Sequence, residues 1–169
     1  MLYKVDGWLG RIAEDSRDWS WALMRILVSA MFMTHGFSKL FGENPQPVTG
    51  GGMTTVNIGD LIVFPMPMEL NALFIAGVIE FFGGLLLVLG LWTHIMAFLA
   101  MVLMLMAYAT AHLAWFPTLN NGELAAMYFL AYLILFTFGA GQYSADSWLA
   151  VRRQERRRDR QEAMQSQGT

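Results

Sequence analysis

The chain has 169 residues, 56% hydrophobic and 14% charged, with a net charge of −2. Soluble domains carry about a quarter charged residues, yet between Lys39 and Asp146 only Glu43, Asp60, Glu69, Glu80 and Glu123 are charged, which excludes a soluble core and implies a polytopic membrane protein. There is no cysteine, so disulfides, thiolate-held iron–sulfur clusters and thiol catalysis are excluded within the chain.

Residues 2–12 place Val5, Trp8, Leu9 and Ile12 on one side of a helix, with Lys4 and Arg11 free to reach headgroups. This spacing predicts a short amphipathic helix in the membrane interface. The first 18 residues hold charge but no apolar run, so no cleavable signal peptide is expected and the first hydrophobic segment should stay as a span.

The first predicted span, 19–41, is the least apolar of four and contains Arg25, Thr34, His35 and Lys39. At about 100° per residue, Arg25, Ser29, Phe32, Gly36 and Lys39 share a stripe, with His35 at its edge. Polar residues in a span normally face the bundle. A long outer loop, 42–69, opens with Pro and Gly, which forbid regular structure there. Its apolar patch Leu61 to Phe64 is too short to span and is expected in the interface or folded over the bundle mouth. Met66 and Met68 could offer soft ligands to Cu(I), but thioethers between prolines more often simply pack.

The second predicted span, 70–92, carries one charge, Glu80, near its middle. Ala72, Ala76, Glu80 and Gly84 follow a four-residue step, and small residues let a neighbouring backbone come close. Only Thr93 and His94 separate it from the third span, 94–115, which places Thr110 and His112 near its far end. A turn at 116–122 leads to the fourth span, 123–143, with Tyr128, Tyr132 and Thr137. The basic tail, 148–169, holds six arginines and is expected to be helical at first and then disordered. Anionic headgroups suit it better than nucleic acid, since no aromatic interleaving is present.

The loops 42–69, 92–94 and 116–122 contain no Lys or Arg, whereas both termini do. The positive-inside rule then puts both termini in the cytoplasm, which requires an even number of spans. The expected fold is an all-α, antiparallel four-transmembrane-helix bundle. Trp19, Trp21, Trp92 and Trp148 mark its inner side and Trp115 with Phe116 its outer side.

A carboxylate at bilayer depth is costly unless paired or wetted. With the first span centred near Ala30 and ~1.5 Å per residue, Arg25 lies roughly 7 Å inward and His35 a similar distance outward. Glu80 near the midplane is then answered by Arg25 or His35. One reading is a buried Glu80–Arg25 ion pair that fixes helix docking. The other is a small-molecule pocket drawn from Arg25, His35, Lys39, Glu80 and His112, whose donors and proton carriers suit a quinone. Haem b held by His35 and His112 is a weaker alternative, and no other cofactor or metal is expected within the chain.

Arg25 followed by His35-Gly36-x-x-Lys39-Leu40, then Glu80-x-x-Gly83-Gly84-Leu85 through Gly90, then Gly139-Ala140-Gly141-x-Tyr143-Ser144-x-Asp146, together resemble the DoxX family over roughly residues 20–147. The resemblance implies a four-helix protein of the bacterial inner membrane. It also implies a link to quinone-dependent oxidoreductases such as thiosulfate:quinone oxidoreductase, as a subunit that is not catalytic alone. Expected partners are lipids and other subunits or a second copy. The alternative is a noncatalytic accessory subunit that packs against a larger complex through its Met and Phe surfaces. Gln142 and Asp146 are read as structural: Asp146 can cap the helix starting at Ser147 or pair with Arg17.

Overall fold

The computed structural model describes residues 2–59 and 62–167. Asp60 and Leu61 therefore lie outside the described residues, as does the side chain of Lys4. The first helix, α1 (Leu2–Phe41), has 40 residues and no break. Residues 2–12 thus extend α1 and do not form a separate interfacial helix. With a rise of ~1.5 Å per residue, α1 is about 60 Å long, roughly twice the hydrocarbon thickness. Its extension leaves Val5, Trp8, Leu9 and Ile12 exposed.

The long connection departs from an all-α chain: it holds a hairpin of β1 (Thr55–Ile58) and β2 (Ile62–Pro65), paired antiparallel with Val56 opposite Phe64 and Asn57 opposite Val63. Two runs rich in β-branched residues flank the turn at Gly59, which is the composition a hairpin needs. A short 3₁₀ turn (Pro67–Glu69) then leads into the second crossing.

That crossing is built in three parts: α2 (Ala72–Val78), a π turn (Ile79–Gly83) and α3 (Gly84–Leu89). Asn71 begins it, its side-chain oxygen accepting from the Leu73 N–H at 3.0 Å and the Met53 N–H at 3.1 Å. Gly90, at φ 65°, ends it. The tight turn is therefore Gly90–Trp92, and Thr93 with His94 already belongs to α4 (Thr93–Ala111). A 3₁₀ turn (Pro117–Asn120) joins α4 to α5 (Glu123–Phe138), which stops at Gly139 and so is shorter than the expected 123–143. The tail is helical as α6 (Ala145–Gln167), where disorder was expected in its second half. The helix lacks Pro and Gly through Gln167, and Arg152 stacks 3.9 Å over the Trp148 ring.

Two stretches, Ala72–Leu89 and Thr93–Ala111, are long and apolar enough to cross a membrane, and Glu123–Phe138 is a shorter apolar helix. α1 runs antiparallel to α2 and α3, and α4 runs antiparallel to α5. The core between the pairs contains Phe32, Leu87, Ala97, Ala100, Met104, Tyr128, Tyr132 and Leu135. The polar stripe of α1 does face inward: Arg25, Ser29, Phe32 and Gly36 are all buried.

Glycine sets the register of the first pair. A Cβ on Gly36 would stand 2.7 Å from the Gly77 carbonyl and 2.8 Å from the Glu80 Cβ, and one on Gly84 3.0 Å from the Ser29 carbonyl. Such close approach is what small residues permit between membrane helices. It puts Glu80 level with Gly36, several residues farther along α1 than the expected centre near Ala30. Gly36→Val should therefore push α1 off the π turn and lower stability by about 1–3 kcal/mol in detergent unfolding. Gly7→Ala, where no atom lies within 4 Å, should instead be neutral or stabilising by about 0.5–1 kcal/mol.

Candidate functional site

The inward polar groups divide into two separate sets. One surrounds Arg25 at the end of the bundle that carries the basic tail. Its Nη1 donates to the Leu87 and Val88 carbonyls, both at 2.7 Å, and its Nη2 to the Tyr143 carbonyl at 2.7 Å. These include carbonyls of the last turn of α3, of which Leu87 also accepts from the Gly90 N–H at 3.1 Å, and a cation there meets the negative end of the helix dipole. Arg25 is 1% exposed. It is therefore not the partner of Glu80; the register of α1 against α3 places it at the far end of that helix.

Asp146 completes this set. Its Oδ1 and Oδ2 accept from the backbone N–H groups of Trp92 and Thr93, each at 2.9 Å, and its own N–H donates to the Gly90 carbonyl at 2.9 Å. It caps a helix, as expected of its role, but the helix is α4 and not its own. The first turn of α6 is held by Ser144, whose hydroxyl accepts from the Ser147 N–H. Close to these residues, Trp21 Nε1 donates to the Gly139 carbonyl at 3.1 Å, and Gln142 donates to Asp18 at 2.7 Å. The Gly139 to Asp146 motif is thus a joint between α1, α3, α4 and α6.

The second set lies near the hairpin. Lys39 Nζ meets the two oxygens of Glu80 at 2.6 and 2.5 Å. Glu80 is buried and Lys39 half-buried. Lys39 follows Gly36 by three residues, so the residue that brings the backbones together also brings the ammonium to the carboxylate. Glu80 sits inside the π turn, a local widening that is frequent at functional sites. Its answering charge is Lys39, and neither Arg25 nor His35 bonds to it.

A cavity of about 320 Å³ opens on this pair. Ala72, Leu73, Ile75 and Ala76 form one wall and Leu103, Met104, Met106 and Ala107 the other. Met53, Val56 and Met66 come from the long connection, so the hairpin segment forms part of the lining. The lining is apolar except for Lys39, Glu80, Thr110 and His112. His112 is fixed at the end of α4, its Nδ1 2.9 Å from the Asn120 carbonyl. The Thr110 hydroxyl donates to the Met106 carbonyl at 2.8 Å.

Of the five residues the sequence singled out, Lys39, Glu80 and His112 share this cavity. His35 is exposed beside it, its ring edge-on to Tyr128 at 6.1 Å between centroids, and Arg25 belongs to the other set. His112 lines this cavity and His35 does not. Met66 and Met68 also diverge, since Met66 lines the cavity and Met68 is 83% exposed. The lining by Met53 and Val56 was missed; the two β-branched runs either side of Gly59 were the signal for it.

Removing one partner of a buried ion pair strands the other charge, at a cost of about 3–5 kcal/mol, whereas replacing both by apolar groups is often near neutral. Lys39→Met alone should thus lower the unfolding midpoint in detergent far more than Lys39→Met with Glu80→Met together. Equal losses in the two variants would show that the pair does not act as a unit.

The family pattern of DoxX matches residues 20–113, a stretch that runs from the Arg25 anchor through the Lys39–Glu80 pair to His112. The chain is also similar to an uncharacterized protein of Haemophilus influenzae, 40% identical over 139 residues that cover 79% of this chain and 93% of that protein. No solved structure matches it. On the family match and the likeness over most of its length, this chain belongs to the DoxX family of membrane proteins.

Proposed function

We propose that the cavity beside Lys39 and Glu80 binds a quinone, and that the chain serves as the membrane subunit of a quinone-linked redox system. The observation that carries this reading is the cavity's composition. A paired cation and anion cancel, so the floor has no net charge to attract an ion from water. The walls are apolar, and the few polar groups are Lys39 and Glu80 on one side and Thr110 and His112 at the end of α4. Such a site suits a neutral amphiphile with a polar ring. Lys39 and His112 can donate to ring carbonyls, and Glu80 can carry a proton to or from a ring oxygen. Electrons would come from a redox centre on a partner subunit.

The rival reading, a noncatalytic accessory subunit, rests on the apolar face of α4, where Ile95, Phe98, Val102 and Leu105 are exposed. Lipid covers such a face equally well, so the cavity is the stronger guide. The same reading takes α1, α2 with α3, α4 and α5 all as membrane crossings of a bacterial inner membrane. The arginine-rich termini then lie in the cytoplasm and the hairpin on the opposite side.

Protein purified in mild detergent should bind a short-chain ubiquinone analogue. Glu80→Gln should weaken binding about tenfold or more, while Gln142→Ala, remote from the cavity, leaves it unchanged. Failure of the unsubstituted protein to bind quinone would overturn the reading. Because the chain has no cysteine, the topology is read with single cysteines. In intact spheroplasts, Asn121→Cys should react with an impermeant maleimide and Gln161→Cys should not.

A further inference from the structure

The long connection is tied down over the cavity that it helps to line. Hydrogen bonds from residues 46–53 converge on the start of α2 around Asn71, which is 0% exposed. The Asn71 Nδ2 donates to Gln46 Oε1 at 3.1 Å, its backbone N–H donates to the Val48 carbonyl at 3.0 Å, and its Oδ1 accepts from the Met53 N–H at 3.1 Å. Beside it, the Gly50 N–H donates to the Glu69 carbonyl at 2.9 Å and the Ala72 N–H to the Met53 carbonyl at 2.8 Å. Gly52, at φ 57°, closes on the Asn71 side chain so tightly that a Cβ there would collide with it. Met68 and Glu69 are both held at φ 54°, a conformation that residues other than glycine keep only where their surroundings fix it.

From this knot the hairpin reaches across the cavity. Met53 and Val56 line it from one strand's side and Met66 from the other's, and the Met66 N–H donates to the Thr54 carbonyl at 2.8 Å. Along β1, Thr55 and Asn57 are exposed while Val56 and Ile58 are half-buried, so the sheet turns an apolar underside to the cavity. Its tip rests on α4, where a Cβ on Gly59 would lie 3.4 Å from Leu113 Cδ2. The other sides are also filled. Lys39 of α1 stands behind. Below, the π turn meets α4, with Met96 Sδ 3.8 Å from the place of a Cβ on Gly83. The side left is the gap between α2 and the half of α4 nearest the hairpin, on the rim of the bundle, where lipid lies. Ile62 and Phe64, opposite Ile58 and Val56 and so on the same underside, are exposed. They carry an apolar surface past the cavity, as acyl chains would favour and water would not.

We propose that the hairpin is a fixed roof, positioned by Asn71, that closes the cavity to water and leaves the gap between α2 and α4 as its entrance. The site thereby selects ligands dissolved in the membrane over ligands dissolved in water. A long-tailed amphiphile enters head first toward Lys39 and Glu80, and its tail stays between the two helices in lipid. The proposal rests on the cavity being the ligand site, but on no property of a quinone.

Because the chain has no cysteine, a single thiol on the cavity wall reports which reagents reach it. In the full chain in lipid nanodiscs, Ala107→Cys on α4 and Leu73→Cys on α2 should be labelled by N-dodecylmaleimide supplied in the bilayer. A sulfonated maleimide supplied in water should label them about tenfold more slowly or less, although it reacts freely with Asn121→Cys outside the cavity. Adding Asn71→Ala should raise the sulfonated reagent's rate at both positions about tenfold, as expected from losing the bonds to Gln46 and Met53, and leave the dodecyl reagent's rate unchanged. Gln46→Ala keeps the bonds that Asn71 makes to the Met53 and Leu73 amides, so it tests the knot even if Asn71→Ala fails to fold; it should give a smaller rise. Asn57→Ala, on the roof's upper face, should give none. Equal access by both reagents before any change at Asn71 would overturn the roof. No labelling by the dodecyl reagent at either position would overturn the entrance from lipid. Unchanged rates in Gln46→Ala and in folded Asn71→Ala would overturn the role of Asn71. Quinone takes no part in these measurements, so failure to bind the ubiquinone analogue and failure of the roof are read separately.

Discussion

A carboxylate held among apolar helices has to be answered by a positive charge or give up its own. In this chain Lys39 answers Glu80, and much of the local architecture follows from that requirement. The two helices must approach closely enough for a side chain to bridge them, which is why Gly36 meets the backbone of Gly77 and the π turn. The helix carrying Glu80 widens at that level. On the far side, the long connection contributes to the cavity that the pair faces. The pair, the close approach and the cavity are thus one arrangement, each part needing the others.

The second polar set solves a different problem. A turn as short as Gly90–Trp92 cannot by itself satisfy every helix-terminal carbonyl and amide on its two sides. Arg25 takes the carbonyls of α3 and Asp146 takes the amides of α4. One charge comes from the first helix and one from the last, so both ends of the chain are fastened to the same turn. This set fastens the bundle at the tail end, and the cavity lies at the hairpin end.

Much of this was legible in the sequence. The inward stripe of α1 followed from helical spacing, and the two helices long and apolar enough to cross a membrane, Ala72–Leu89 and Thr93–Ala111, followed from apolar length. Asp146 was read as a cap for the helix at Ser147, whereas it accepts from the amides that open α4. What could not be read was pairing across helices. Arg25, His35 and Lys39 lie on adjoining faces of α1 and differ mainly in height, and height depends on register. Register is set by how deeply Gly36 and Gly84 let the backbones sink together, a packing property with no counterpart in periodicity. The hairpin was obscured because Pro and Gly dominate the start of its loop, although the β-branched runs on either side of Gly59 carried the signal. Asp146 was given the wrong helix for the same reason that Arg25 was given the wrong partner: both act on elements distant in sequence.

The unbroken length of α1 has a mechanical consequence. An unbroken helix of 40 residues carries a load along its length, so a push on the exposed part around Trp8 is not confined to where it is applied. Arg25 pins the rod about midway, as a pivot does. Beyond that point Gly36 clamps α1 against the π turn, so the load arrives at the joint where the ammonium of Lys39 meets Glu80.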